Sequence, residues 1–87
     1  MHQVLLQRHV WYTLDLAQVP VSATVTWTND DSQPHTTTSG DNVTPDAIFD
    51  SGIMAPAATF EHTLTEAGDY PYFCLLHPIM VGTVIMG

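Results

Sequence analysis

Apolar and polar positions alternate with a period of two along most of this chain. In Thr24-Val25-Thr26-Trp27-Thr28, Val25 and Trp27 take one parity and the threonines the other. Ala58 to Leu64 puts Phe60, His62 and Leu64 on one face, and Tyr70, Tyr72 and Cys74 share a parity in the segment that follows. Val10 to Leu16 and Val81 to Met86 are β-branched and aromatic runs of strand length. Successive side chains leave a strand on opposite sides, so this alternation predicts half-buried strands. Turn formers separate the runs at Asn29-Asp30-Asp31-Ser32, Ser39-Gly40-Asp41-Asn42 and Glu66-Ala67-Gly68-Asp69. Thr36-Thr37-Thr38 is a short β-prone stretch that the second cluster ends. Val43 to Pro56, carrying Pro45, Gly52 and Pro56, reads as a long loop. With no amphipathic helical period, the pattern predicts an all-β antiparallel sandwich.

Eighty-seven residues, 45% of them apolar, make a single small domain spanning 1–87 with one core. No apolar run approaches the roughly 20 residues of a membrane-spanning helix. Residues 1–9 lack the basic stretch and long apolar run of a complete signal peptide, as expected of a processed or excised domain or of a protein made without one. Charge narrows the functional classes further. Arg8 is the sole Lys or Arg against nine acidic residues, a formal charge of −8. A nucleic-acid surface needs clustered cations to displace counterions, so that class is excluded, and anionic membranes are disfavoured. An acidic surface steers basic partners, unless it serves only solubility or a saline medium. The carboxylates form no pair suited to hydrolytic chemistry and read as solvated charge.

The chemistry concentrates in Cys74-Leu75-Leu76-His77-Pro78-Ile79-Met80, which holds the only cysteine of the chain. A thiolate, an imidazole and a thioether suit a soft or borderline metal, and a second imidazole completes the set that holds blue copper. Cys74, His77 and Met80 would also share a helical face, but Pro78 disfavours the helical conformation at His77. A strand ending at Cys74, a tight loop and a strand from Val81 fit better. His35, just after a turn cluster, is the candidate for the second imidazole. Each residue alone has a plainer reading: a buried inert thiol for Cys74, a solvent-facing His35, a core Met80. His2 and His9 read as terminal surface residues, His62 as a strand residue without a ligand role, and Asn42-Val43-Thr44 as a chance sequon. Trp27, Tyr70, Tyr72 and Phe73 read as core and sheet packing.

The segments Thr24 to His35 and Gly68 to Val84 together resemble a cupredoxin, nearest the plastocyanin and amicyanin branch that includes archaeal halocyanin-like domains. Cys-x-x-His-x-x-Met, with proline after the histidine, is the spacing of a short amicyanin-type loop. His35 lies 39 residues before Cys74, and the likeness runs from about Val19 to the C-terminus. The resemblance implies a Greek-key β-sandwich holding one copper ion that cycles between Cu2+ and Cu+. By it, His35 and His77 ligate through imidazole nitrogen, Cys74 through a short thiolate bond and Met80 through a long axial thioether. It further implies a single-electron carrier rather than an enzyme, working in the periplasm, outside the cell or at its surface. Redox partners would dock on Leu75, Leu76, Pro78 and Ile79 around His77.

Three alternatives stand beside this reading. They are redox catalysis on a small molecule at an open axial position, copper delivery or storage, and an excised domain of a larger multicopper protein. The sequence also departs from the family at three places. Thr36 stands where asparagine is usual, and the tie that an asparagine amide makes between the two ligand loops is lost unless the hydroxyl substitutes. Ser22 or Ala23 replaces a usual glycine, and Met1 to Leu16 follows no matching pattern.

Overall fold

A computed structural model describes residues 2–8, 10–13, 18–41 and 44–87, which carry nine strands and no helix. In chain order these are β1 (His2–Gln7), β2 (Val10–Thr13), β3 (Gln18–Val19), β4 (Thr24–Asn29), β5 (Thr38–Asp41), β6 (Thr44–Asp50), β7 (Thr59–Thr63), β8 (Gly68–Phe73) and β9 (Val81–Met86). One sheet runs β2-β1-β4-β7 and the other β3-β9-β8-β5-β6. Strands distant in sequence lie side by side, as in β1 with β4 and β5 with β8, so the chain crosses between sheets in Greek-key fashion. The expected all-β sandwich forms, but β1–β4 and β3–β9 pair parallel where antiparallel neighbours were expected.

Parity accounts for the core. Val25 and Trp27 of β4, Leu6 of β1, Tyr72 of β8 and Val84 of β9 all turn inward and are buried. Trp27 is the hub, with ring centroids 5.1 Å from Phe49, 5.4 Å from Tyr72 and 5.6 Å from Phe60. Such tilted and edge-on pairs each add roughly 0.5–1.5 kcal/mol beyond area burial. Phe60, His62 and Leu64 share the inner side of their strand as expected, His62 lying 5.2 Å from the Phe49 ring.

Elsewhere the structure departs from the pattern. The stretch Val43 to Pro56 is not a loop throughout, since Thr44–Asp50 is β6, paired antiparallel with β5. β6 is an edge strand, where Pro45 sacrifices no shared ladder bond, and Phe49 is its only buried residue. Likewise Ser39-Gly40-Asp41 continues β5 rather than ending it. The buried Ser39 hydroxyl accepts the Phe49 N–H (2.8 Å) and bonds the Phe49 carbonyl (3.0 Å), spanning the register shift between β5 and β6. Gly40 sits at φ 148°, and a Cβ there would lie 2.0 Å from the Thr44 carbonyl oxygen.

The N-terminal segment is structured as well. β1 pairs parallel with β4, aligning Val4 with Trp27, so His2 is half-buried in a sheet rather than a loose surface residue. Of the expected strand Val10 to Leu16, β2 covers Val10–Thr13, and the rest lies outside the described residues. His9 and the Asn42-Val43 part of the sequon also lie outside them.

Candidate metal centre

The side chains of His35, Cys74 and His77 converge at one end of the sandwich. Cys74 follows the last residue of β8 and continues its inward parity. Its N–H donates to the Met80 carbonyl (3.1 Å), and the Met80 N–H donates to the His77 carbonyl (2.9 Å). These two bonds close Cys74–Met80 into a tight loop between β8 and β9, as the proline-based reading expected. His35 comes from the other loop. Its N–H and C=O both pair with Met54, at 3.1 and 2.7 Å, fixing the backbone on either side of the ring.

Asn29 shapes the turn that delivers His35. It is fully buried, and its amide donates to the carbonyls of Gln33 (2.8 Å) and Met54 (2.9 Å) while accepting the Asp31 N–H (3.0 Å). One side chain therefore satisfies backbone groups of both the turn and the Met54 segment.

The donor atoms lie close. Cys74 Sγ is 3.6 Å from His35 Nδ1 and 4.0 Å from His77 Nδ1, and the two Nδ1 atoms are 3.0 Å apart. His35 Nε2 lies 2.9 Å from Asp31 Oδ2, a carboxylate that can only accept, so Nε2 carries the proton and Nδ1 offers a lone pair inward. Bonds of about 2.0–2.3 Å from imidazole and thiolate to a zinc-sized ion bring donors to separations of about this size. Two nitrogens and one sulfur with converging lone pairs fit a borderline ion such as copper. His35 and Cys74 are fully buried and His77 is half-buried.

Thr36, the departure from the family pattern, is tied in twice. Its N–H donates to Cys74 Sγ at 3.3 Å. Its hydroxyl accepts the Leu75 N–H at 2.8 Å, so the hydroxyl does join the two loops. Met80 is buried at the loop's far end, among the core residues that also include Cys74. Leu75, Leu76, Pro78 and Ile79 are exposed around His77, Ile79 to 87%. His62 stands apart from the donor group and packs on Phe49.

Sequence reasoning missed Asp31, Asn29 and Met54. Asp31 sits four positions before His35 in a turn cluster, a spacing that offered a signal. Asn29 read only as a strand breaker. Met54 lay in the stretch taken for a loop, and nothing in its surroundings marks a backbone partner for His35.

A two-sheet Greek-key sandwich with two imidazoles and a thiolate gathered at one end defines a cupredoxin. Residues 7–87 match the copper-binding plastocyanin/azurin family, and the chain belongs to it. The match begins well before Val19, taking in β2 and β3 as well. Amicyanin of Paracoccus denitrificans is 37% identical over 68 residues, which are 78% of this chain and 52% of amicyanin. Amicyanin of Paracoccus versutus is 32% identical over the same shares. The chain thus spans about half the length of these relatives. Among solved structures, a purple cupredoxin from Nitrosopumilus maritimus superposes with a TM-score of 0.86 at 36% identity, covering 98% of both chains. A reduced Cu(I) form of an amicyanin variant at pH 4 gives 0.82 at 32% identity, covering 98% of this chain and 80% of that one.

Proposed function

We propose that this chain forms a mononuclear type 1 copper domain that passes single electrons between redox partners. His35 Nδ1, His77 Nδ1 and Cys74 Sγ would hold the copper, with the thioether of Met80, buried at the end of the same loop, as the fourth ligand. The observation that carries this is the convergence of three donor atoms within 4.0 Å of one another, two of their residues fully buried. Copper, when bound, supplies a one-electron couple between Cu(II) and Cu(I).

The chain's own residues hold the donors still. Met54 clamps the His35 backbone, Asp31 fixes its ring, and the Thr36 N–H draws charge from the Cys74 sulfur. A site pre-set in this way changes little between redox states, which favours fast exchange. His77 is the one donor residue that reaches solvent, and its ring edge is the route between site and surface. Leu75, Leu76, Pro78 and Ile79 form the water-excluding collar on which a partner docks. A net charge of −8 steers a basic partner toward the molecule, and ionic strength slows the encounter. Family membership favours a periplasmic, extracellular or cell-surface setting, and no helix among the described residues is long and apolar enough to cross a membrane.

Voltammetry of the copper-loaded protein tests this reading. It is expected to give a reversible one-electron wave, with a visible spectrum that azide leaves unchanged. An azide-shifted spectrum would transfer the assignment to small-molecule redox chemistry, and tight Cu(I) binding with no reversible wave to copper delivery.

A further inference from the structure

The tie between the two ligand-bearing loops does not end at Thr36. The Leu75 N–H donates to Thr36 Oγ1 (2.8 Å), Thr36 Oγ1 lies 3.1 Å from Thr38 Oγ1, and Thr38 Oγ1 donates to Asp50 Oδ1 (3.2 Å). The same Asp50 oxygen accepts the Gly52 N–H at 2.9 Å. Donor and acceptor roles along this row are fixed by its ends. A backbone N–H can only donate, and an ionised carboxylate can only accept. Thr38 has one proton, which goes to Asp50, so the Thr36 proton must go to Thr38. That leaves the lone pairs of Thr36 turned toward Leu75. Thr36 and Thr38 are both buried, so neither hydroxyl has water as a substitute partner, whereas Asp50 is exposed.

We propose that Thr38 and Asp50 are positioning residues of the metal centre, orienting the Thr36 hydroxyl so that it locks the Cys74–Met80 loop to the His35 loop. Neither touches a donor atom. They act through Thr36, whose N–H bonds the Cys74 sulfur. Without the Thr38 hydroxyl, the Thr36 proton loses its acceptor in a dry site. Rotation to find another takes the lone pairs away from Leu75, and the loop loosens where it carries the cysteine. An N–H bond to the sulfur that lengthens with it leaves more charge on the thiolate, which lowers the reduction potential.

The inference rests on the copper reading for its potential but not for its hydrogen bonds, and the test uses both. Amide exchange at Leu75 is followed by NMR in the metal-free and Cu(I)-loaded full chain. Thr38→Val keeps shape and strand propensity, since the Thr38 backbone remains paired with Asp50 and Phe73. It is expected to speed Leu75 exchange about tenfold, the worth of one net hydrogen bond, and to lower the potential, with Thr38→Ser restoring both. Asp50→Ala, at an exposed position, is expected to speed exchange as well, whereas Asp50→Asn keeps an acceptor and stays near wild type. Unchanged Leu75 exchange in both Thr38→Val and Asp50→Ala would overturn the proposal. Exchange that responds in a chain binding no copper would uphold the relay while removing the copper reading.

Discussion

At the scale of single residues, the site depends on groups that bind no metal. Asp31 is the clearest case. Its carboxylate accepts a hydrogen bond from Nε2–H of a fully buried histidine, and only a small part of its side chain meets solvent. Removing it takes the carboxylate acceptor from a buried N–H and with it the bond that selects the tautomer. Asp31→Ala is expected to weaken copper binding by about 10–100-fold, the usual effect of losing a ligand's supporting bond. A chelator competition titration measures this, and wild-type affinity in the variant would remove Asp31 from the account. That His35, Cys74 and His77 come together was legible in the sequence, because a Cys-x-x-His run and a histidine after a turn cluster are an uncommon pair on one small β domain. Their supports were not, because an aspartate and an asparagine in a turn are ordinary, and only the fold shows which atoms they face.

Elements were legible where both faces of a strand differ in polarity. β4, β7 and β8 show that difference. β9 was legible instead as a β-branched run with Val81 and Ile85 left exposed, and the inward residues of all four meet in one core around Trp27. β6 lacks that difference, having only Phe49 inward and a proline near its start. β1 was hidden for another reason. Its partner β4 lies across the β2 and β3 segments, and such non-local parallel pairing leaves no turn signal. One close approach between elements has a measurable consequence. Gly82 of β9 faces Tyr72 of β8, and a Cβ at Gly82 would lie 2.5 Å from the ring and hydroxyl of Tyr72. Tyr72 also touches Trp27 and Trp11, so it has little room to withdraw. Gly82→Ala is expected to cost about 1–3 kcal/mol in chemical denaturation of the metal-free protein. A neutral result would mean that the ring moves freely.

For the molecule as a whole, burial of Tyr72 sets a limit on alkaline stability. Desolvation in the core raises its pKa from 10.0 to about 12. Below pH 10 the phenol is protonated in folded and unfolded chains alike, and stability owes nothing to the difference. Above it the unfolded chain gives up the proton first, so stability falls as pH rises from 10 toward 12. The loss reaches about 2 kcal/mol near pH 12. Denaturation at stepped pH is expected to show this in the wild type, with Tyr72→Phe lacking that part of the decline. Equal slopes in the two proteins would show that the phenol ionises in place.

The same sandwich that buries Tyr72 presents His35, Cys74 and His77 together at one end, and the account stands or falls on what they hold. Visible absorption of the protein with one equivalent of Cu(II) tests this most directly. An intense thiolate-to-copper band is expected, one that disappears in Cys74→Ser while the fold persists. A colourless copper adduct of the wild-type chain, or an intense band that survives Cys74→Ser, would contradict it.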